Sequence, residues 1–213
     1  SFSCAMFSNT REFGGFPAQG LYCWGRIPIG RGLSGAGYTT MINLALSNPT
    51  EIRSTGHYVE GGDFVCALHD DGVTCSGSDE FLITSVPSLI NPTQLSLGFD
   101  HACVLDQNSV NCWGRNSYQQ SDVPILINPT QVSAGGNFSC ALDETGVVCW
   151  GRNNLGQTDV PNLSNPIWVK AGQYHSCAFD DNGLVCWGQN DKGQTEVPAL
   201  TFSGTTYEGS SNN

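Results

Sequence analysis

The sequence predicts an all-β fold: a β-propeller of five four-stranded blades, each about 37 residues long. Three observations predict it. The first is a pair of cysteines nine residues apart that recurs at a fixed period: Cys66/Cys75, Cys103/Cys112, Cys140/Cys149 and Cys177/Cys186, with Cys4/Cys23 as a fifth, wider pair. The second is the neighbour that four of the five pairs carry. Trp24-Gly25, Trp113-Gly114, Trp150-Gly151 and Trp187-Gly188 follow the second cysteine. Fixed period and fixed punctuation mark a repeat architecture. The third is that no stretch holds a 3.6-residue apolar period long enough for a helix, which excludes the helical repeats of similar length.

Each repeat opens on a hairpin. In the fourth, Phe138, Cys140 and Leu142 alternate with Ser139, Ala141 and Asp143, the turn is Glu144-Thr145-Gly146, and Val147 and Cys149 resume the alternation. That is strand, polar turn, strand. Pairing across the turn sets residue 140 opposite residue 149. Opposed antiparallel residues have Cα atoms about 4.5–5.5 Å apart, within the range of about 4.4–6.8 Å that a disulfide accepts. The expected bridges are Cys4–Cys23, Cys66–Cys75, Cys103–Cys112, Cys140–Cys149 and Cys177–Cys186. Buried free thiols and zinc are the alternatives. His101-x-Cys103 and His175-x-Cys177 hint at zinc, but Phe2, Phe64 and Phe138 hold the histidine position in the other copies. Cys-x2-Cys spacing is absent.

After Trp-Gly comes a polar run, as in Arg152-Asn153-Asn154-Leu155-Gly156-Gln157, then Val160-Pro161, Asn165-Pro166 and a short apolar piece from Val169. Gly and Asn-Pro elements bound short strands. Some 37 residues suit four short strands and their turns, one propeller blade. The five repeats fall near 1–52, 53–95, 96–132, 133–169 and 170–209, in a single domain over 1–213.

The chain has 213 residues, 19 acidic and 8 basic, for a formal charge of −11. Phosphate backbones require Lys and Arg, and so does an anionic membrane surface. The balance therefore excludes nucleic acid as the expected partner. No apolar run is long enough for a transmembrane helix, so membrane insertion is not expected. The cysteines ask for an oxidising compartment: extracellular, cell-surface or periplasmic. The sequence does not begin with a signal peptide, so a leader is expected to have been removed or to lie outside this sequence.

The string His-Ser-Cys-Ala-Phe-Asp-Asp-Asn-Gly-Leu-Val-Cys-Trp-Gly-Gln-Asn-Asp-Lys-Gly-Gln (175–194) resembles the repeat of the regulator-of-chromosome-condensation propeller family. It is most similar to the short, disulfide-bearing extracellular bacterial variety. The likeness is close over 95–200 and looser before it. The resemblance implies a propeller, usually of seven blades in that family, where this chain holds five copies. The eukaryotic founder acts on a small GTPase and chromatin, a role that the acidity and cysteines of this chain do not suit. The secreted propeller that inhibits beta-lactamases is similar in style.

Continued past residue 200, the register sets Val169 and Ala171 on Thr206 and Glu208, and the next cysteine one residue past the end. Ser1-Phe2-Ser3-Cys4 supplies that cysteine. Residues Phe202–Gly209 therefore read as the strand missing from the first repeat. Three outcomes fit: a ring closed by its own ends, strand exchange into head-to-tail polymers, or a piece of a longer array.

No catalytic constellation emerges, and no cofactor or metal is expected. Gly30-Arg31-Gly32-Leu33-Ser34-Gly35 fits G-x-G-x-x-G but lacks the strand and helix that make it a dinucleotide site, so it reads as a loop. Asp70-Asp71 and Asp180-Asp181 sit in hairpin turns, where Asp favours the turn geometry over calcium. The Trp-Gly tryptophans read as packing between blades rather than sugar platforms. Irregularity concentrates before residue 90. Copy one carries an insert, Arg11–Gly20, and copy two has Ser76-Gly77 for Trp-Gly. Insertions in repeat proteins map to loops, often on a binding face. The candidate binding residues are Arg11, Phe16, Arg26, Arg31, Tyr38 and Arg53, and Asn137 and Asn162 are glycosylation sequons.

The first functional reading is a secreted or cell-surface, non-enzymatic propeller that binds a protein or scaffolds copies of itself. A glycan-binding lectin and a secreted inhibitor of an enzyme are the alternatives.

Overall fold

The computed structural model describes residues 2–7, 20–25, 42–44, 46, 48–55, 64–77 and 80–198, the segments up to residue 44 by their backbone only. The described residues form five three-stranded antiparallel sheets. The first holds β1 (Phe2–Phe7), β2 (Gly20–Gly25) and β3 (Ile42–Leu44). The second holds β4 (Glu51–Ser54), β5 (Phe64–His69) and β6 (Gly72–Gly77). The third holds β7 (Pro92–Leu97), β8 (His101–Asp106) and β9 (Ser109–Gly114). The fourth holds β10 (Gln131–Ala134), β11 (Phe138–Asp143) and β12 (Gly146–Gly151). The fifth holds β13 (Trp168–Ala171), β14 (His175–Asp180) and β15 (Gly183–Gly188).

In sheets two to five, a short inner strand precedes the hairpin and pairs with its first strand. The inner strands β4, β7, β10 and β13 lie next to one another in sequence order. The first sheet differs. Its third strand, β3, pairs on the far side of β2, and among the described residues β1 pairs with β2 alone.

The expected hairpin register is the observed one. Cys66, Cys103, Cys140 and Cys177 face Cys75, Cys112, Cys149 and Cys186 and are bonded to them, with Cα atoms 4.0–4.1 Å apart. Cys4 faces Cys23 in the backbone register of β1 and β2. Their side chains lie outside the described residues, as does the expected closing strand 202–209.

The alternation in the third and fourth hairpins does not separate a wet face from a dry one. β8 and β11 are buried at all six positions, because these two sheets are covered on both faces. The cores lie between blades. Cys103, Leu105 and Val110 of one blade pack with Val132, Ala134, Ala141 and Trp150 of the next. Cys140 and Leu142 pack in the same way with Val169, Ala171, Ala178 and Trp187.

The Trp-Gly pair serves this joint. Trp113, Trp150 and Trp187 donate their indole N–H to the carbonyls of Ile83, Gln120 and Gln157 in the preceding blade, at 2.8, 3.0 and 3.1 Å. The glycine that follows lies close to backbone. A Cβ on Gly151 (φ +106°) would sit 2.8 Å from the Phe138 Cα. Tryptophan as blade packing, the reading made from its recurrence, is what the joint displays.

Among the described residues each sheet has three strands, where the repeat length suggested four. The segment between the third blade's hairpin and the next inner strand is held in turns instead. Gln119 and Asn128 have φ of 64° and 47°, outside the extended region, and Pro124 and Pro129 have no N–H for a ladder. Carboxylates at the hairpin turns pin the segment down. The amides of Ile127 and Ser164 donate to Asp143 and Asp180, each at 2.8 Å. Burial raises the Asp143 carboxyl, but donors from Ile127, Thr145 and Gly146 outweigh it and hold the group below the usual carboxylate range. The Ser164 amide, against burial, does the same for Asp180, helped by Asn182 and Gly183.

Candidate functional site

In blades two to five the inner strand and the third strand end at the same edge of the sheet. Two sets of loops therefore share one face. The first set, at 98–100, 135–137 and 172–174, rings the mouth of a cavity of about 280 Å³ lined by Ser54, Thr55, Gly98, Gly135 and Gly172 among others. The Phe99 ring lies over Gly136, where a Cβ would come within 2.8 Å of it. It meets Tyr174 edge-on, with ring centroids 5.8 Å apart.

The second set, 115–122, 152–159 and 189–196, is built on a repeated frame. Arg115, Arg152 and Gln189 donate their amides to the carbonyls of Asp100, Asn137 and Tyr174, at 2.7–2.9 Å, joining the two sets. Asn116 accepts from the Ser121 amide at 3.0 Å and donates to Asp122 at 2.7 Å. Asn153 repeats both bonds with Thr158 and Asp159. Gln120 and Gln157, almost wholly buried, accept the amides of Tyr118 and Leu155 at 2.9 and 2.8 Å. Gln194 accepts that of Lys192 at 2.8 Å.

The frame is fixed, but the tip that it presents is not. Equivalent positions carry Tyr118, Leu155 and Lys192, all exposed. Guanidinium groups stack on the preceding tip: Arg115 lies 4.8 Å from the Phe81 ring centroid and Arg152 lies 5.1 Å from that of Tyr118. Arg115 also reaches the Asp100 carboxylate at 3.3 Å. The result is a preorganised surface of aromatic, aliphatic and cationic side chains. Rigid aromatic groups with Arg are the chemistry of protein recognition.

At the opposite edge lies a groove of about 520 Å³ between blades, lined by Thr93, Gln94, Leu105, Thr130, Gln131, Leu142, Ile167 and Trp168. Among the described residues, no three His, Cys, Asp or Glu side chains are grouped to hold a metal ion.

Of the candidate binding residues, Arg11, Phe16, Arg26, Arg31 and Tyr38 lie outside the described residues. Arg53 is on inner strand β4, where its guanidinium pairs with Glu51 and Glu51 accepts the Leu95 amide at 2.8 Å. Asn162 is exposed, whereas the Asn137 Oδ1 is buried without a partner. The sequence reading looked to the irregular first 90 residues and passed over Phe81, Tyr118, Arg152 and Leu155. Their signal was present: one variable column inside an otherwise repeated Arg/Gln-Asn…Gln frame.

His101 is wholly buried. The Ser139 hydroxyl donates to the Gln120 carbonyl at 3.1 Å, so it accepts from the His101 Nε2–H at 2.9 Å. Burial pushes this imidazole down to about 4. It is a neutral core group, not a metal ligand.

The matches to known proteins agree with this architecture. Residues 93–120, 130–157 and 169–194 match the Regulator of chromosome condensation (RCC1) repeat. No curated protein matches the chain significantly. Among solved structures, the ectodomain of the Physcomitrella patens receptor kinase CR4 is 23% identical with a TM-score of 0.55, covering 88% of this chain and 50% of that one. The CRINKLY WD40 ectodomain of the Arabidopsis thaliana receptor kinase ACR4 is 26% identical, with a TM-score of 0.54 over 68% of this chain and 58% of that one. Saccharomyces cerevisiae Prp20p, described with its binding to Gsp1p and histones, is 18% identical, with a TM-score of 0.63 over 88% of this chain and 56% of that one. The chain spans 50–58% of the length of these structures. Its third, fourth and fifth blades each carry a match to the repeat of the regulator of chromosome condensation family.

Proposed function

We propose that this chain is a binding module of an oxidising, extracellular setting that recognises a protein partner through the loop face around Phe81, Tyr118, Arg152, Leu155 and Lys192. One observation carries the reading. A hydrogen-bonded frame repeats from blade to blade while the side chain at its tip changes from Tyr to Leu to Lys. A surface kept rigid and varied only at its tips suits recognition of one irregular surface better than recognition of a repeated ligand. That weighs against the lectin alternative, which calls for equivalent pockets.

The four disulfides among the described residues support the compartment, and two of the similar structures are receptor ectodomains. The insert residues Arg11, Phe16, Arg26, Arg31 and Tyr38 extend the binding surface in this reading. Asn162 is the better placed of the two sequons to carry a glycan. Inhibition of a secreted enzyme is one form that such recognition takes.

The test is a pull-down from the native extracellular fluid with the wild-type chain and a Tyr118→Ala/Arg152→Ala variant. The reading expects a discrete protein retained by the first and lost, tenfold or more, from the second. Equal retention by both excludes the loop face.

A further inference from the structure

The groove at the edge opposite the loop face is floored by a side-chain relay between inner strands. Val132 and Val169 donate their amides to the Gln94 and Gln131 Oε1 atoms, each at 2.9 Å. Two residues on, Ala134 and Ala171 donate to the Ser96 and Ser133 hydroxyls at 2.9 and 3.0 Å. Gln94 and Gln131 line the groove. With Oε1 committed to the relay, each leaves its Nε2 donors to the groove. Leu105, Leu142, Ile167 and Trp168 give it apolar walls.

The third and fourth blades place Thr93-Gln94 and Thr130-Gln131 at the head of the inner strand. The fifth places Ile167-Trp168 there. Ile167 is 70% exposed and Trp168 is 38% exposed. Polar residues fill these positions in two blades, so the fold does not require an apolar pair. An exposed aliphatic and aromatic pair beside a groove is the kind of anchor that a protein partner covers.

The rim is acidic. The Asn128 Nδ2 donates to the Glu144 carboxylate at 2.8 Å, and the Asn165 Nδ2 donates to that of Asp181 at 2.6 Å. Each asparagine stands two residues before a groove residue, Thr130 or Ile167. Asp143 and Asp180 adjoin these acids and are held by backbone amides rather than by a cation. Among the described residues, no Lys or Arg answers the four charges. Arg115, Arg152 and Lys192 stand on the loop face, Arg53 pairs with Glu51, and Lys170 lies mid-ladder opposite Cys177. Uncompensated negative charge at a groove attracts cations. It repels a second copy of a chain whose formal charge is −11.

We propose that this groove holds an extended, basic segment of a partner protein. Apolar side chains of the segment pack on Ile167 and Trp168, its carbonyls accept from the Gln94 and Gln131 amides, and its Lys or Arg residues lie beside Glu144 and Asp181. This does not depend on what the loop face binds.

The experiment selects a phage-displayed library of random dodecapeptides on the full-length chain at about 0.15 M salt, where distant surface charges are screened. Enriched peptides are synthesised, and their binding is read by fluorescence anisotropy. They are expected to interleave Lys or Arg with apolar residues. Affinity falls tenfold or more in Ile167→Thr/Trp168→Gln, which installs the residues of the third and fourth blades and so keeps the fold. It falls threefold or more in Glu144→Gln/Asp181→Asn. Glu196→Gln, which removes an exposed acid from the loop face, leaves it unchanged. Enrichment of peptides without cations, or of none, overturns the proposal. So does binding indifferent to Ile167→Thr/Trp168→Gln. Equal losses from Glu196→Gln and from the groove acids overturn it too, because the peptides then answer net charge alone.

Discussion

The Gln131 Oε1 atom lies 2.9 Å from the amide nitrogen of Val169 in the next blade. The bond satisfies a buried inner-strand amide that no sheet ladder reaches. Gln131→Leu leaves that N–H without a partner, which costs about 1–3 kcal/mol. Gln131→Glu keeps most of it, because Glu51 makes the equivalent bond to Leu95. Urea unfolding of the two variants beside the wild type checks the order.

Trp150 contributes both packing and one hydrogen bond, and two variants separate them. Trp150→Phe removes the donor to the Gln120 carbonyl, which keeps the Ser139 hydroxyl. The expected loss is about 1 kcal/mol. Trp150→Ala also opens the core between two blades and costs about 3–5 kcal/mol. Equal losses in thermal or urea unfolding would contradict the joint as described.

His101 makes stability depend on pH. Its imidazole titrates near 4 when folded and near about 6.5 when unfolded. The unfolded chain therefore binds the proton first as pH falls. Stability is full above about pH 6.5, declines by about 3 kcal/mol towards pH 4, and declines no further from this group. Phe64 and Phe138 hold the same position in other blades, so His101→Phe is expected to fold and to flatten the profile in that window. Chemical unfolding at half-unit pH steps reads the difference.

Each bridge closes a short loop inside a hairpin that the sheet already holds. Replacing Cys140 and Cys149 together by Ser costs at most about 2.5–3 kcal/mol and leaves the β11–β12 register unchanged. Amide exchange of that hairpin in the double variant tests both statements. Loss of protection throughout the fourth blade would mean that the bridge defines the hairpin rather than tightens it.

The repeat, the hairpin register and the disulfides were legible because cysteine and Trp-Gly spacing is a one-dimensional record of period-two strands. The number of strands was not. Val123-Pro124 and Asn128-Pro129 mark short pieces in sequence, and only the positive φ values of Gln119 and Asn128 turn those pieces away from a ladder. The relay was hidden for another reason. Gln94, Gln131, Ser96 and Ser133 are ordinary polar strand residues until neighbouring inner strands face each other. The loop face was legible in principle at Tyr118, Leu155 and Lys192. Those residues differ from one another, and a search for what repeats passes over what varies.

Site-specific photo-cross-linking tests protein recognition by the loop face most directly. A photoreactive phenylalanine analogue replaces Tyr118 in one preparation and Ile125, which is 96% exposed on a connecting segment, in another. Both are irradiated in the native extracellular fluid. The account predicts one discrete covalent adduct from position 118, competed away by excess unmodified chain, and none from position 125. Adducts from position 125 alone, or from neither position, would contradict it.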